Sequence, residues 1–134
     1  MIGGGFTGLS TALHLREAGV DVAIVEAMEP GWGASGRNNG QVIPTLSRPD
    51  PEDIIAKHGA VGERFVALLR DSASTLFDVA RRYQIQAEQE QAGWVQPVHS
   101  PGRNKSGEPQ ARQWCKFGAD VEVLPRDQTR QMLG

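Results

Sequence analysis

Three glycines and one acid are the residues whose spacing could do chemistry. Gly3, Gly5 and Gly8 stand at G-x-G-x-x-G spacing in Gly3-Gly4-Gly5-Phe6-Thr7-Gly8, and Glu26 follows Gly8 by 18 positions. Each glycine of such a set has its own steric task. The first permits a tight strand-to-helix turn, the second lets a pyrophosphate approach the backbone, and the third lets the helix pack close to its sheet. A helix opening directly after the turn offers free N–H groups and the positive end of its dipole to phosphate. An acid about 20 residues further on accepts hydrogen bonds from ribose hydroxyls. The chemistry that suits this set is the holding of an adenine dinucleotide. A structural glycine turn with a surface acid at the end of a strand is the alternative that spacing leaves open.

A second set follows the acid directly, Gly33-Ala34-Ser35-Gly36-Arg37-Asn38-Asn39-Gly40-Gln41. Residues 27–41 are too extended for a simple helix–strand connection, and loops of that length in a compact domain are usually functional. Arg37 suits charge-assisted pairing with phosphate, and equally a solvated loop arginine. Ser35 and Asn38 suit the same site, and equally turns that satisfy their own backbone. A nicotinamide dehydrogenase usually runs from its acid into an ordinary helix. This chain instead places a second glycine- and hydroxyl-rich loop directly after the acid-bearing segment.

The elements that must position these residues are legible around them. Leu9, Ala12, Leu13 and Ala18 recur at helical spacing up to Gly19, which predicts a helix of about three turns with a C-terminal glycine. Val20-Asp21-Val22-Ala23-Ile24-Val25-Glu26 predicts a strand buried on both faces. Val42-Ile43-Pro44 predicts a short strand, and Ser47-Arg48-Pro49-Asp50-Pro51 a rigid linker into a helix starting near Glu52. From Val61 to Tyr83 the apolar residues Phe65, Leu68, Leu69, Ala73, Leu76, Phe77 and Ala80 mark one face of an amphipathic helix. Beyond it, Trp94-Val95-Gln96-Pro97-Val98 predicts a strand, Ser106 to Phe117 a helix, Val121 to Leu124 a short strand, and Asp127 to Leu133 the opening of another helix.

Composition narrows the class. Of 16 glycines in 134 residues, nine lie in the first 40, so the excess marks local backbone geometry. Fourteen Lys and Arg against 16 Asp and Glu are interleaved, without a basic stripe for nucleic acid or an anionic membrane. No apolar run approaches the ~18–20 residues of a membrane span, and no charged-then-apolar leader opens the chain, so it reads as cytoplasmic and soluble. Cys115 is the only cysteine, which excludes an intrachain disulfide and a cysteine-based metal cluster. Beside Trp114 and Phe117 it reads as an inert, partly buried thiol. His14, His58 and His99 are widely spaced, and no metal site is expected. Trp94 and Trp114 read as core or interface aromatics rather than ring-stacking residues. No Ser/His/Asp set or carboxylate pair stands out, and no catalytic residue is assigned.

On these residues the chain resembles the FAD-dependent oxidoreductases of the D-amino-acid oxidase and glycine oxidase type, with their bacterial gamma-glutamylputrescine oxidase branch. GGGFTGLSTALHLREAG, VDVAIVEA and GASGRNNGQV carry the resemblance, and AGWVQPVHSPGR and GADVEVLPRDQTRQMLG extend it. It implies FAD as cofactor and an α/β, partial Rossmann-like FAD-binding fold leading into an α+β substrate domain. With Met1 and Ile2 alone before the turn, the first strand is expected to be nearly absent. Residues 1–48 would be the FAD-binding portion, 49–83 a helical segment, and 84–134 the incomplete beginning of the substrate domain. The matching cofactor-binding positions are Gly3, Gly5, Phe6, Thr7, Gly8, Glu26, Ala27, Ser35, Gly36, Arg37, Asn38, Asn39, Gly40 and Gln41. The implied reaction oxidises the C–N bond of a small-molecule amine or D-amino acid, with hydride passing to the flavin.

Two other readings stay open at this stage. One is a truncated, non-catalytic fragment with residual or no nucleotide binding, and the other is part of an NAD-dependent dehydrogenase. The shortened first strand also predicts low stability and self-association through an exposed sheet edge.

Overall fold

The computed structural model describes residues 1–46, 49–98 and 100–134, with the side chains of 101–106 left aside. Ser47 and Arg48 of the expected linker, and His99, lie outside the described residues. The chain divides into two compact units, Met1–Gln41 and Val42–Gly134.

In the first unit, the glycine turn leads into α1 (Phe6–Glu17), whose first helical bond runs from the Leu9 N–H to the Gly5 carbonyl at 2.9 Å. The helix closes as its sequence predicts. Gly19 adopts φ +78°, its N–H reaches the Arg16 carbonyl at 3.0 Å, and the Val20 N–H reaches the Leu15 carbonyl at 2.9 Å. This pair of backward bonds satisfies carbonyls that the helix end would leave open. After α1 the chain returns extended beside its own beginning. Ile2 and Val25 form a parallel bridge, with Met1 donating to the Ala23 carbonyl at 2.7 Å, Val25 to Met1 at 2.9 Å and Gly3 to Val25 at 2.8 Å.

That bridge is isolated, and the expected α/β, Rossmann-like fold is not what the structure shows. Among the described residues there are helices and this single bridge, without a strand or sheet. The physical reason lies in pairing. β-branched composition extends a backbone, but a strand exists only through a laddered neighbour. Met1 and Ile2 face Ala23–Val25 through one bridged pair, and no further pair extends it among the described residues. Val42–Pro44, Trp94–Val98 and Val121–Leu124 are likewise without strand pairing, which also removes the expected α+β character of the later residues.

The second unit is helical. Its elements are α2 (Pro51–His58), α3 (Ala60–Arg82), α4 (Pro101–Lys116) and α5 (Arg126–Leu133). Pro51 and Pro101 sit in the first turns of α2 and α4, where a missing N–H costs nothing. At the α2–α3 corner Gly59 takes φ +54°, and Gly62 packs against α2 so tightly that a Cβ there would lie 2.6 Å from the Ile54 carbonyl oxygen. Ile54, Val66 and Trp114 form the core, with Leu46, Ile55, Leu69, Phe117 and Ala119 packed against it. Polar contacts tie α4 to α2, with Lys116 Nζ 2.6 Å from Glu52 Oε1 and Gln110 Nε2 donating to Asp50 Oδ1 at 3.3 Å. Arg70 Nη1 donates to the Phe117 carbonyl at 3.0 Å.

Two expectations shift here. The apolar face of α3 is only partly covered, since Val66, Phe77 and Ala80 are buried while Phe65, Leu68 and Leu76 are exposed. Cys115 is exposed, with Sγ 3.2 Å from the Val121 carbonyl. Trp114 takes the buried side of α4 in its place.

Candidate functional site

The predicted glycine residues come together around a close backbone crossing. A Cβ on Gly8 would lie 2.0 Å from the Gly3 carbonyl oxygen, so the first turn of α1 sits directly on the glycine turn. Gly3 itself adopts φ +103°, a conformation glycine reaches without penalty. The N-cap position is held by Gly5, which has no side chain to cap the helix. Of the first helical amides, Phe6 donates to Ser35 Oγ at 2.9 Å. Those of Thr7 and Gly8 lack intrahelical acceptors by geometry and have no hydrogen-bond partner among the described residues.

Glu26 lies at the end of the extended segment and reaches back into the turn. Its Oε2 accepts the Gly4 N–H at 2.6 Å and its Oε1 accepts the Met28 N–H at 3.1 Å. The Gly4 bond first, then the Met28 bond, hold this carboxyl below the ordinary carboxylate range, with desolvation opposing them and a further bond from Ala27 assisting. Backbone donors stabilise the charged form. Three backbone donors thus face the carboxylate, and an ionised carboxylate has about four acceptor positions. Capacity for hydroxyl donors therefore remains.

The second loop is attached to the first at two points. Besides the Ser35–Phe6 bond, the Gly31 N–H donates to the Gly4 carbonyl at 3.0 Å. A short 3₁₀ turn, Ala34–Gly36, brings Gly36 over Gly31, where a Cβ would stand 2.3 Å from the Gly31 oxygen. Asn38 is spent on the loop itself, donating from Nδ2 to the Ser35 carbonyl at 2.6 Å and accepting the Gly40 N–H on Oδ1 at 2.7 Å. Arg37 lays its guanidinium over the Trp32 ring, 4.9 Å from the centroid. Ala27, Asn39 and Gln41 are exposed.

Sequence reasoning passed over four participants. Gly4 stands at an unspecified position of the motif, yet its N–H holds Glu26 and a Cβ there would lie 3.2 Å from Oε2. Its signal was the uninterrupted Gly-Gly-Gly run. Gly31 was visible only as one more loop glycine, and Met28 acts through its backbone, which no side-chain pattern reveals. Trp32 was detectable as an aromatic five residues before Arg37 in a loop. No group of His, Cys, Asp and Glu suited to a metal ion occurs among the described residues.

A nucleotide cofactor can be tested against this geometry directly. The helix start with its two open amides, the glycine turn without side-chain bulk and the ionised acid provide what diphosphate and ribose require. The donor set fits the adenosine diphosphate half of a dinucleotide.

The family profile described as "FAD dependent oxidoreductase" matches residues 1–134. The gamma-glutamylputrescine oxidoreductase of Escherichia coli is 34% identical over 133 residues, which is 98% of this chain and 31% of that protein. Two proteins named "Probable oxidoreductase OrdL" share 54% identity over shorter stretches. They are that of Rhizobium meliloti over 41 residues, 31% of this chain and 10% of that protein, and that of Haemophilus influenzae over 43 residues, 32% and 10%. The chain thus spans about a third or less of the length of these relatives. No solved structure matches it.

Proposed function

This chain belongs to the FAD dependent oxidoreductase family, and we propose that its residues 1–48 are the FAD-binding portion of an enzyme oxidising the C–N bond of an amine or D-amino acid. Residues 49–83 would be a helical segment and 84–134 the beginning of the substrate domain. FAD is the cofactor of the family. When bound, the flavin supplies the hydride acceptor for the carbon that bears the nitrogen.

The chain's own residues have three tasks in this scheme. Gly3, Gly5, Phe6, Thr7 and Gly8 present the start of α1 to the diphosphate. Glu26, with Ala27 beside it, holds ribose hydroxyls on an ionised carboxylate. Ser35, Gly36, Arg37, Asn38, Asn39, Gly40 and Gln41 form the loop that closes over the cofactor. The observation that carries the proposal is the Gly8–Gly3 crossing beside the Glu26–Gly4 bond, because it joins a side-chain-free helix start and an ionised acid in one turn. The amine class of substrate rests on the name of the Escherichia coli relative.

A cytoplasmic location and self-association belong to the same proposal. No helix among the described residues is long and apolar enough to cross a membrane. Support for self-association is that Ile2, Phe6, Val25 and Trp32 are exposed in a unit whose buried residues are Gly4 and Ala12.

The decisive experiment titrates the 134-residue chain with FAD and, separately, with NAD, following flavin absorbance and protein fluorescence. Saturable FAD uptake is expected. A chain that takes up no FAD overturns the assignment, and saturable NAD binding without FAD would transfer the site to a nicotinamide enzyme.

A further inference from the structure

We infer that Ser35 is a positioning residue that clamps the second glycine loop onto the start of α1 by capping that helix from a distance. The inference rests on the proposed FAD site and gives Ser35 a task other than touching phosphate. A helix N-cap normally comes from the residue adjoining the helix. Here that residue is Gly5, which offers no side-chain oxygen, and the cap comes from Ser35, 29 positions beyond Phe6, at 2.9 Å.

The hydroxyl also occupies the space in front of Gly5. A Cβ on Gly5 would meet Ser35 Oγ at 3.0 Å. A side chain at the second glycine of the motif would therefore crowd a hydroxyl from the neighbouring loop and push it aside, before any ligand is considered. Ser35 is half-buried, and its carbonyl accepts the Asn38 side-chain N–H, so the clamp and the turn beyond it share one residue. With the Gly31–Gly4 bond at the other end, the loop between them is pinned twice. The cap consumes the Phe6 amide and leaves those of Thr7 and Gly8 for an anion. Ser35 in this arrangement fixes where the loop sits, and the diphosphate is held by neighbouring groups.

The test compares wild type, Ser35→Ala and Ser35→Thr as full chains without ligand, measuring the rate of tryptic cleavage after Arg37 by peptide mapping. FAD affinity is titrated in parallel. Loss of a capping hydroxyl predicts cleavage about five- to tenfold faster in Ser35→Ala, within the roughly 2- to 30-fold span of cap losses. FAD affinity should fall by a similar factor, and Ser35→Thr, which keeps the hydroxyl, should stay within about twofold of wild type in both. Cleavage of Ser35→Ala at the wild-type rate overturns the clamp. If its FAD affinity nevertheless falls, Ser35 touches the cofactor instead. Cleavage of Ser35→Thr as fast as Ser35→Ala also overturns it, and so does a wild-type loop cut as rapidly as an unstructured peptide. Should Ser35→Ala lose α1 helicity by circular dichroism, recovery of helicity in Ser35→Thr supports the clamp and its absence overturns it. The ligand-free arm decides the role of Ser35 even if wild type binds no FAD, a result that would defeat the proposed function alone.

Discussion

Replacing Gly8 by alanine tests the close crossing on which the site is built. The added Cβ would lie 2.0 Å from the Gly3 carbonyl oxygen and 3.1 Å from its carbon, against ordinary contacts of 3.4–4 Å. The obstructing atoms are backbone, so no side-chain rotation relieves them. Gly3 is itself fixed by φ +103° and by its bond to the Val25 carbonyl at 2.8 Å, so moving it strains the bridge with Ile2. Overpacking costs about 1–3 kcal/mol and sometimes more, and a clash this short belongs at or above the upper end. Alanine recovers about 1 kcal/mol of helix propensity in α1. A net loss of about 2 kcal/mol remains, roughly a 30-fold change in the folded fraction of the first unit. The control is Gly33→Ala, where a Cβ meets nothing within 4 Å. Urea titration followed by circular dichroism, with FAD affinity in parallel, should show Gly8→Ala weakened in both and Gly33→Ala near wild type in both. A Gly8→Ala chain as stable as wild type would refute the crossing and the helix placement derived from it.

Glu26→Gln should remove a pH-dependent share of stability. The Gly4 and Met28 bonds lower the carboxyl below its ordinary 4.5, so its contribution is fully present above that value and lost as pH falls through the folded value. The melting-temperature gap between wild type and Glu26→Gln should stay constant above the ordinary carboxylate value and shrink as pH falls below it, and a gap unchanged by acid would contradict the assignment. In the second unit, Gly62→Ala would place a Cβ 2.6 Å from the Ile54 oxygen and 2.9 Å from the Ile55 Cα. A loss of about 1–3 kcal/mol in urea unfolding is expected, and an unchanged midpoint would show that α2 and α3 do not cross as closely as described.

How much was legible in the sequence depended on whether the signal was local. The end of α1 was written in Gly19 and α3 in its apolar spacing, because caps and helix periodicity act within a few residues. The helix expected from Ser106 begins five residues earlier, at Pro101, which is well placed in a first turn. Strands were misread for the opposite reason. Val20–Val25 has strand composition, but a strand is a property of two segments, and the composition of one says nothing of the other. At the site, Gly3 and Gly8 were found through spacing and do cross, while Glu26 meets Gly4 between them. The Ser35–Phe6 bond joins residues whose individual types suggest only a turn and a helix start, and no spacing rule connects them.

The same contrast explains what holds the first unit together. Gly4 and Ala12 are its buried residues, so hydrophobic burial contributes little there. Its shape rests on bonds that reach across the turn: Gly3 and Val25, Gly4 and Glu26, Gly4 and Gly31, Phe6 and Ser35. Neutral bonds of this kind contribute about 0.5–1.5 kcal/mol each, a sum readily offset by the entropy of ordering the loops. A ligand that binds only the ordered form at 100 times its Kd adds about 2.7 kcal/mol, more than any one of the neutral bonds. Every residue that shapes the site is therefore also a residue that stabilises the unit, and substitutions such as Gly8→Ala or Ser35→Ala move binding and folding together. Affinity measured alone cannot separate the two roles, which is why ligand-free cleavage and unfolding belong beside each titration.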